Sequence, residues 1–145
     1  MGAGRGLAGG LAVLAAAVLA VQALQEPIPP ATAGCNPQEL PCTVRGDGWT
    51  VTLRLPPVVQ PLERFPVQVR LAGAAATAGG VAVRFDMADM DMGVNRFGLS
   101  RQADGSWQGQ AMLPACASGS GDWRVTVEVA GEPAVAARYA MRTGG

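Results

Sequence analysis

A two-residue hydrophobic period recurs along most of the chain after residue 48, and it constrains the fold more than any other feature. From Trp49 to Leu55, apolar residues alternate with threonine and arginine, which is the pattern of a strand with one buried and one wet face. The same alternation returns in five further segments, separated by glycine, proline or aspartate turn signals. The predicted strands are 49–55, 67–71, 81–87, 107–113, 123–129 and 135–141, with weaker candidates at 97–101 and near Thr43.

This series of about seven short strands predicts an all-β fold. No segment after residue 25 has an apolar period of 3.6 over three turns, and a parallel sheet would need helical crossovers. We therefore expect residues 35–145 to form an immunoglobulin-like antiparallel sandwich, with a small barrel as the alternative. The pair Asp104-Gly105 predicts a hairpin, and the alanine-rich stretch 72–80 predicts a loop between strands.

The N-terminal region departs from this pattern because residues 7–24 form an apolar run with one polar residue. Its length approaches that of a membrane span and exceeds that of an ordinary signal-peptide core, which favours one hydrophobic helix in residues 1–24 as an uncleaved anchor. Arg5 precedes the run, so the domain should face the periplasmic side of a bacterial inner membrane. A small-residue site at 21–23 leaves open a cleaved signal peptide and a soluble periplasmic protein. The proline-rich residues 25–34 read as a spacer.

Composition excludes several classes of function. The net charge is zero, from 11 basic and 11 acidic residues, so bulk charge recruits neither nucleic acid nor an anionic membrane surface. The sequence contains no histidine, which removes the usual general base, the usual zinc ligand and every catalytic triad that relies on imidazole. We therefore expect no enzyme, and no motif points to a small organic substrate.

Three cysteines fit an exported protein in an oxidising compartment. Cys35 and Cys42 enclose six residues that include two prolines, and local closure favours a disulfide between them, although three single pairings are open. Cys116 would then be left over. An unpaired thiol there could engage a partner, a metal or a mixed disulfide, or could be buried and inert.

A methionine-rich segment, FDMADMDMG at 85–93, is the main chemical signal, since it holds three of the five methionines beyond the initiator. Thioether sulfur is a soft ligand that selects Cu(I), and a protein without histidine could hold Cu(I) through sulfur alone. An uninterrupted strand would bury Asp89 and Asp91 and leave Met90 and Met92 in solvent, although burying unpaired carboxylates is costly. Either a bulge or turn tucks both methionines into the core, or the strand ends and displays them.

We therefore predict a Cu(I) site with Met90 and Met92 as its ligands. Met87 from the same segment, Met112 on the polar phase of its strand, and Cys116 four residues later are predicted as additional ligands. The interleaved aspartates suggest calcium as a rival ion, but their spacing lacks the D-x-D-x-D-G loop and its terminal glutamate.

Four short motifs occur in order along the chain: M-x-M-G at 90–93, D-G-S-W-Q-G at 104–109, L-P at 113–114 and G-D-W-R-V-T-V at 121–127. Together they resemble the YtkA-like and FixH-like group of exported bacterial β-sandwich domains, over roughly residues 49–130. The resemblance implies an immunoglobulin-like fold and copper handling in respiratory oxidase assembly, with a respiratory oxidase or a copper-delivery protein as partner. It also implies that the two methionines of the first motif are ligands, although this chain lacks the histidine of its metal-binding relatives.

Three functional hypotheses follow. The first is a membrane-anchored periplasmic sandwich that binds or delivers Cu(I). The alternative is a metal-free adaptor or assembly factor that docks a membrane protein, with the methionines serving as packing. A third is thiol exchange through Cys116, which is weakened because the chain offers no C-x-x-C pair or histidine to depress a thiol pKa.

Overall fold

The structure is a computed structural model that describes residues 29–144, and these residues form an all-β protein. The predicted helix in residues 1–24 lies outside this range. Within residues 29–144 we find no helix with the length and hydrophobicity that a membrane crossing requires. The strands are β1 (Ala31–Thr32), β2 (Cys42–Gly46), β3 (Trp49–Arg54), β4 (Arg64–Gly73), β5 (Gly80–Met87), β6 (Asn95–Arg101), β7 (Trp107–Met112), β8 (Asp122–Ala130) and β9 (Val135–Arg142), with one 3₁₀ helix, Ala74–Thr77, after β4.

The nine strands form one mixed sheet in the order β1-β9-β8-β5-β6-β7-β4-β3-β2. Every pairing is antiparallel except that of β1 with β9, which is parallel. β6 joins the two halves of the sheet, because its first residues pair with β5 and its end pairs with β7 through Ser100 and Arg101. The edge strands β1 and β2 contact each other, so the sheet nearly closes.

The strands predicted from the two-residue period are all present, including the two weaker candidates, which are β6 and β2. The predicted hairpin joins β6 to β7, and Gly105 supplies its left-handed residue at a φ of 79°. The expected loop at 72–80 is correct in part, since β4 continues to Gly73 before the 3₁₀ helix begins. The expectation of a purely antiparallel sheet is wrong at one pairing, because β1 runs parallel to β9.

The core lies between the two halves of the sheet and is filled by the apolar phase of each strand. Phe85 is at its centre, with ring centroids 5.8 Å from Phe65 and 6.0 Å from Phe97 in edge-on packing. Tyr139 on β9 donates its hydroxyl hydrogen to the Val51 carbonyl on β3 at 2.7 Å. This buried hydrogen bond links strands from the two halves.

The predicted Cys35–Cys42 disulfide is present, with a Cα–Cα distance of 5.6 Å. Its loop is held against the end of β9 by Gln38, whose side-chain amide donates to the Arg142 carbonyl at 2.8 Å and whose oxygen accepts from the Arg142 N–H at 2.7 Å. The loop is therefore attached to the sheet at two points, one covalent and one through this reciprocal pair.

Candidate functional site

The methionine-rich segment begins where β5 ends. Met87 is the last residue of β5 and is buried opposite Trp123 of β8. Residues 88–94 then connect β5 to β6 without regular structure. The Gly93 N–H donates to the Asp91 carboxylate at 2.8 Å, and the Asn95 amide donates to the Met92 carbonyl at 3.1 Å. These bonds hold the connection in a defined turn.

The turn separates carboxylates from thioethers. Asp89 and Asp91 are exposed, whereas Met90 and Met92 are half-buried and pack against the core. Continued strand geometry would have placed the aspartates inward, and the cost of dehydrating two carboxylates opposes that register. The structure combines the two alternatives. The strand ends before the methionines, as the display of their side chains would require, and the turn also directs both side chains towards the core, so they lie at its margin.

The loop at 113–121 brings Cys116 to this turn. It joins β7 to β8, and the antiparallel pairing of β8 with β5 sets the start of β8 beside the end of β5. Cys116 is half-buried and carries a free thiol, whose Sγ lies 3.3 Å from Met90 Sδ. Met90, Met92 and Cys116 each pack against the core, and Met92 lies two residues after Met90 in the same turn; we call these three side chains the sulfur cluster.

Ser118 is a hydrogen-bond partner of this thiol. Its Oγ lies 3.0 Å from Cys116 Sγ. Hydrogen bonding by the Ser118 hydroxyl, and then by the backbone N–H groups of Ser118 and Ser120, lowers the pKa of the Cys116 thiol. Once the thiol has lost its hydrogen, both Cys116 Sγ and Met90 Sδ present only lone pairs to the space between them, which is the condition for binding a cation.

The distance between the two sulfurs is compatible with a shared metal ion. Metal–sulfur bonds of about 2.3 Å place two ligands of one tetrahedral centre about 3.8 Å apart. The separation of 3.3 Å between Met90 Sδ and Cys116 Sγ would therefore need to open by about 0.5 Å. A cleft of about 250 Å³, lined by Pro114, Ser120 and Trp123 among others, also borders Cys116.

The remaining predicted ligands differ from the sulfur cluster in exposure. Met87 is buried below the turn, with 8% of its surface exposed. Met112 pairs with Arg64 at the end of β7 and is 46% exposed, outside the group of half-buried residues that covers the core margin. For the rival calcium site, no group of three or more acidic or cysteine side chains within residues 29–144 is arranged to hold a metal ion.

Ser118, which contacts the Cys116 thiol, is the residue of the candidate site that sequence reasoning did not identify. Its signal is the C-x-S spacing in the loop at 113–121, where a hydroxyl two residues after a thiol can turn back to it.

Comparisons with known proteins add no family assignment. No protein-family model matches the chain, and a search of curated proteins finds no significant match.

Proposed function

We propose that this protein binds Cu(I) through Met90, Met92 and Cys116 and passes it to another protein. The observation that carries the proposal is the 3.3 Å contact between Cys116 Sγ and Met90 Sδ, made by residues 26 positions apart in the chain. Two thioethers and one thiolate are a soft donor set, and such donors select Cu(I) over hard cations. Met112 is left out of the proposed set because it lies outside the sulfur cluster.

Partial exposure of the cluster suits delivery better than storage. Met90, Met92 and Cys116 are half-buried, so the protein would cover one side of the ion and leave the other side open. A receiving protein could then add its own ligand before a thioether leaves, and the ion would move by ligand exchange. The function would be transfer of an ion without chemical conversion, consistent with a protein that is not an enzyme.

We further propose an immunoglobulin-like sandwich held by an N-terminal anchor on the periplasmic side of a bacterial inner membrane. The two ladders that share β6, with Phe65 and Phe85 packed edge-on between them, favour a sandwich over a barrel. The Cys35–Cys42 disulfide fits an oxidising compartment. Membership of the YtkA-like and FixH-like group, and a respiratory oxidase or copper-delivery protein as partner, remain part of this proposal.

Competition for Cu(I) tests the proposal. The full chain, in a non-ionic detergent with ascorbate to keep copper reduced, is titrated against a coloured Cu(I) chelator. We expect one Cu(I) per chain, and at least a tenfold loss of affinity in the double variant Met90→Ser, Met92→Ser and in Cys116→Ser. Met112→Ser is the matched control, since it removes an exposed thioether outside the cluster, and it should bind as the wild type does. Unchanged binding by the double variant would refute the proposal.

A metal-free adaptor is the second candidate, and the packing of Met90 and Met92 on the core favours it. The double variant Met90→Leu, Met92→Leu separates the two functions, because leucine preserves the packing volume and removes the sulfur. An adaptor would keep its stability and its partner in this variant. A Cu(I) carrier would keep its stability and lose the ion.

A further inference from the structure

A row of basic side chains crosses the outer face of the sheet. Arg96 on β6 pairs with Arg84 on β5, Arg84 pairs with Thr126 on β8, and Thr126 pairs with Arg138 on β9. Directly paired residues point to the same face of a sheet and are neighbours there. Like charges in such positions destabilise a sheet unless opposite charges offset them.

Two of the three arginines have acidic partners within the sheet. Arg96 Nε donates to Glu128 at 2.7 Å, and Arg84 Nη1 lies 3.8 Å from the same carboxylate. Arg84 Nε also donates to Asp86 at 3.0 Å. The positive charges of Arg84 and Arg96 are therefore offset by carboxylates. Among the described residues, no ion pair offsets the charge of Arg138.

Thr126 and Arg138 hold two shielded donors without acceptors. Thr126 is only 4% exposed, and among residues 29–144 neither its Oγ1 nor the Nε of Arg138 has a hydrogen-bond partner. Buried polar groups are almost always satisfied, so two unsatisfied donors on adjacent paired residues call for an acceptor from outside the protein. An oxyanion oxygen is the acceptor that suits a hydroxyl and a guanidinium together.

A cleft lies above these residues. It encloses about 530 Å³ and is lined by Arg84, Arg96, Thr126, Glu128 and Arg138 together with small residues such as alanine and glycine. The charged lining comprises three arginines and one glutamate, and Asp86, just outside the lining, is paired with Arg84, which leaves a net charge of +1. The small residues let a ligand come close to the sheet.

We propose that this cleft binds a phosphate-class oxyanion. Arg138 would supply the positive charge that no paired carboxylate offsets, and its Nε–H and the Thr126 hydroxyl would donate to the oxyanion once a small side-chain shift uncovers these two atoms, which have almost no accessible surface. The cleft is also lined by Pro30, which would follow the proposed N-terminal anchor in the chain. The phosphate could therefore come from a free phosphate or phosphate ester, or from the headgroup of a membrane lipid. The site uses no residue of the sulfur cluster, so it stands independently of Cu(I) binding.

Phosphate titration tests the site directly. The full chain in non-ionic detergent is titrated with inorganic phosphate at constant ionic strength, and binding is measured by calorimetry. We expect saturable binding at one site, a loss of at least tenfold in Arg138→Gln, and a loss of several-fold in Thr126→Val and in Arg138→Lys. Arg124→Gln is the matched control, because Arg124 lies on the same face two residues before Thr126 but does not line the cleft, and it should bind phosphate normally.

A second arm identifies the source of the phosphate. The same micelles are doped with phosphatidylglycerol or with phosphatidylcholine. If only the anionic lipid weakens phosphate binding by the wild type, the ligand is a headgroup. If neither lipid competes, the ligand is a soluble phosphate. The proposal is overturned if neither phosphate nor anionic lipid binds, or if Arg124→Gln loses as much affinity as Arg138→Gln.

Discussion

Loss of the Cys35–Cys42 disulfide should lower the free energy of unfolding by about 2.5 kcal/mol. The two cysteines are seven positions apart, so the bond closes a loop of eight residues. In the chain-entropy account, closing such a loop removes about 8 cal/mol/K from the unfolded ensemble, which is about 2.5 kcal/mol at 25 °C. This is a large share of the stability of an ordinary small domain.

Cys35→Ser is the right perturbation because Cys35 is exposed, whereas Cys42 is 1% exposed and would leave a cavity. Urea unfolding can be followed by tryptophan fluorescence, since Trp107 and Trp123 are buried. With a slope of about 2 kcal/mol/M, the midpoint should fall by about 1.2 M. Wild type in a thiol reductant should show the same fall.

Cys116→Ser is the matched control, since it also removes a cysteine but breaks no cross-link. Its midpoint should stay within about 0.3 M of the wild type, which is within the range of ordinary surface substitutions. A Cys35→Ser midpoint equally close to the wild type would refute the reasoning. It would mean that the unlinked loop is already ordered in the unfolded chain, so that the disulfide removes no entropy.

The remaining predictions concern single side chains. Tyr139→Phe should cost about 1 to 2 kcal/mol in urea unfolding, because it removes a buried hydrogen bond between the two halves of the sheet, and a cost below about 0.5 kcal/mol would contradict this. Ser118→Ala should raise the pKa of the Cys116 thiol, so that iodoacetamide reacts more slowly at pH 7 to 8 and the pH–rate profile moves to higher pH; an unmoved profile would count against the hydrogen bond. Gly105→Ala should cost about 1 kcal/mol in the same unfolding assay because its φ is 79°, and a neutral result would mean that the hairpin adopts another turn.

The strand pattern could be predicted because each strand has one face in the core. Valines at 125, 127 and 129 are buried, and the polar residues between them lie on the outer face, as the period of two requires. β1 could not be predicted, because Ala31–Thr32 is too short to show a period and its pairing with β9 is decided by tertiary contact. Trp49, expected in the core, is half-buried at the start of β3.

The composition of the sulfur cluster could be predicted, but its geometry could not. Soft-ligand chemistry identifies the two methionines as candidate ligands. The sequence leaves open whether their side chains face the core or the solvent. That phase depends on the turn at 88–94, where Asp91 and Asn95 hold the backbone through local hydrogen bonds. Two-residue periodicity carries no information about such a turn, because the period ends where the strand ends.

The register of β8 connects both proposed sites. Trp123 opposite Met87 sets the loop that carries Cys116 beside the methionine turn, and three residues later Thr126 stands opposite both Arg84 and Arg138. A slip of one residue would turn Thr126 inward and its valine neighbours outward, so the buried valines of β8 hold the register against it. Sites on two parts of the molecule thus depend on one hydrophobic pattern. Substitutions that loosen the core along β8 should weaken Cu(I) binding and phosphate binding together, whereas substitutions within either site should affect only one.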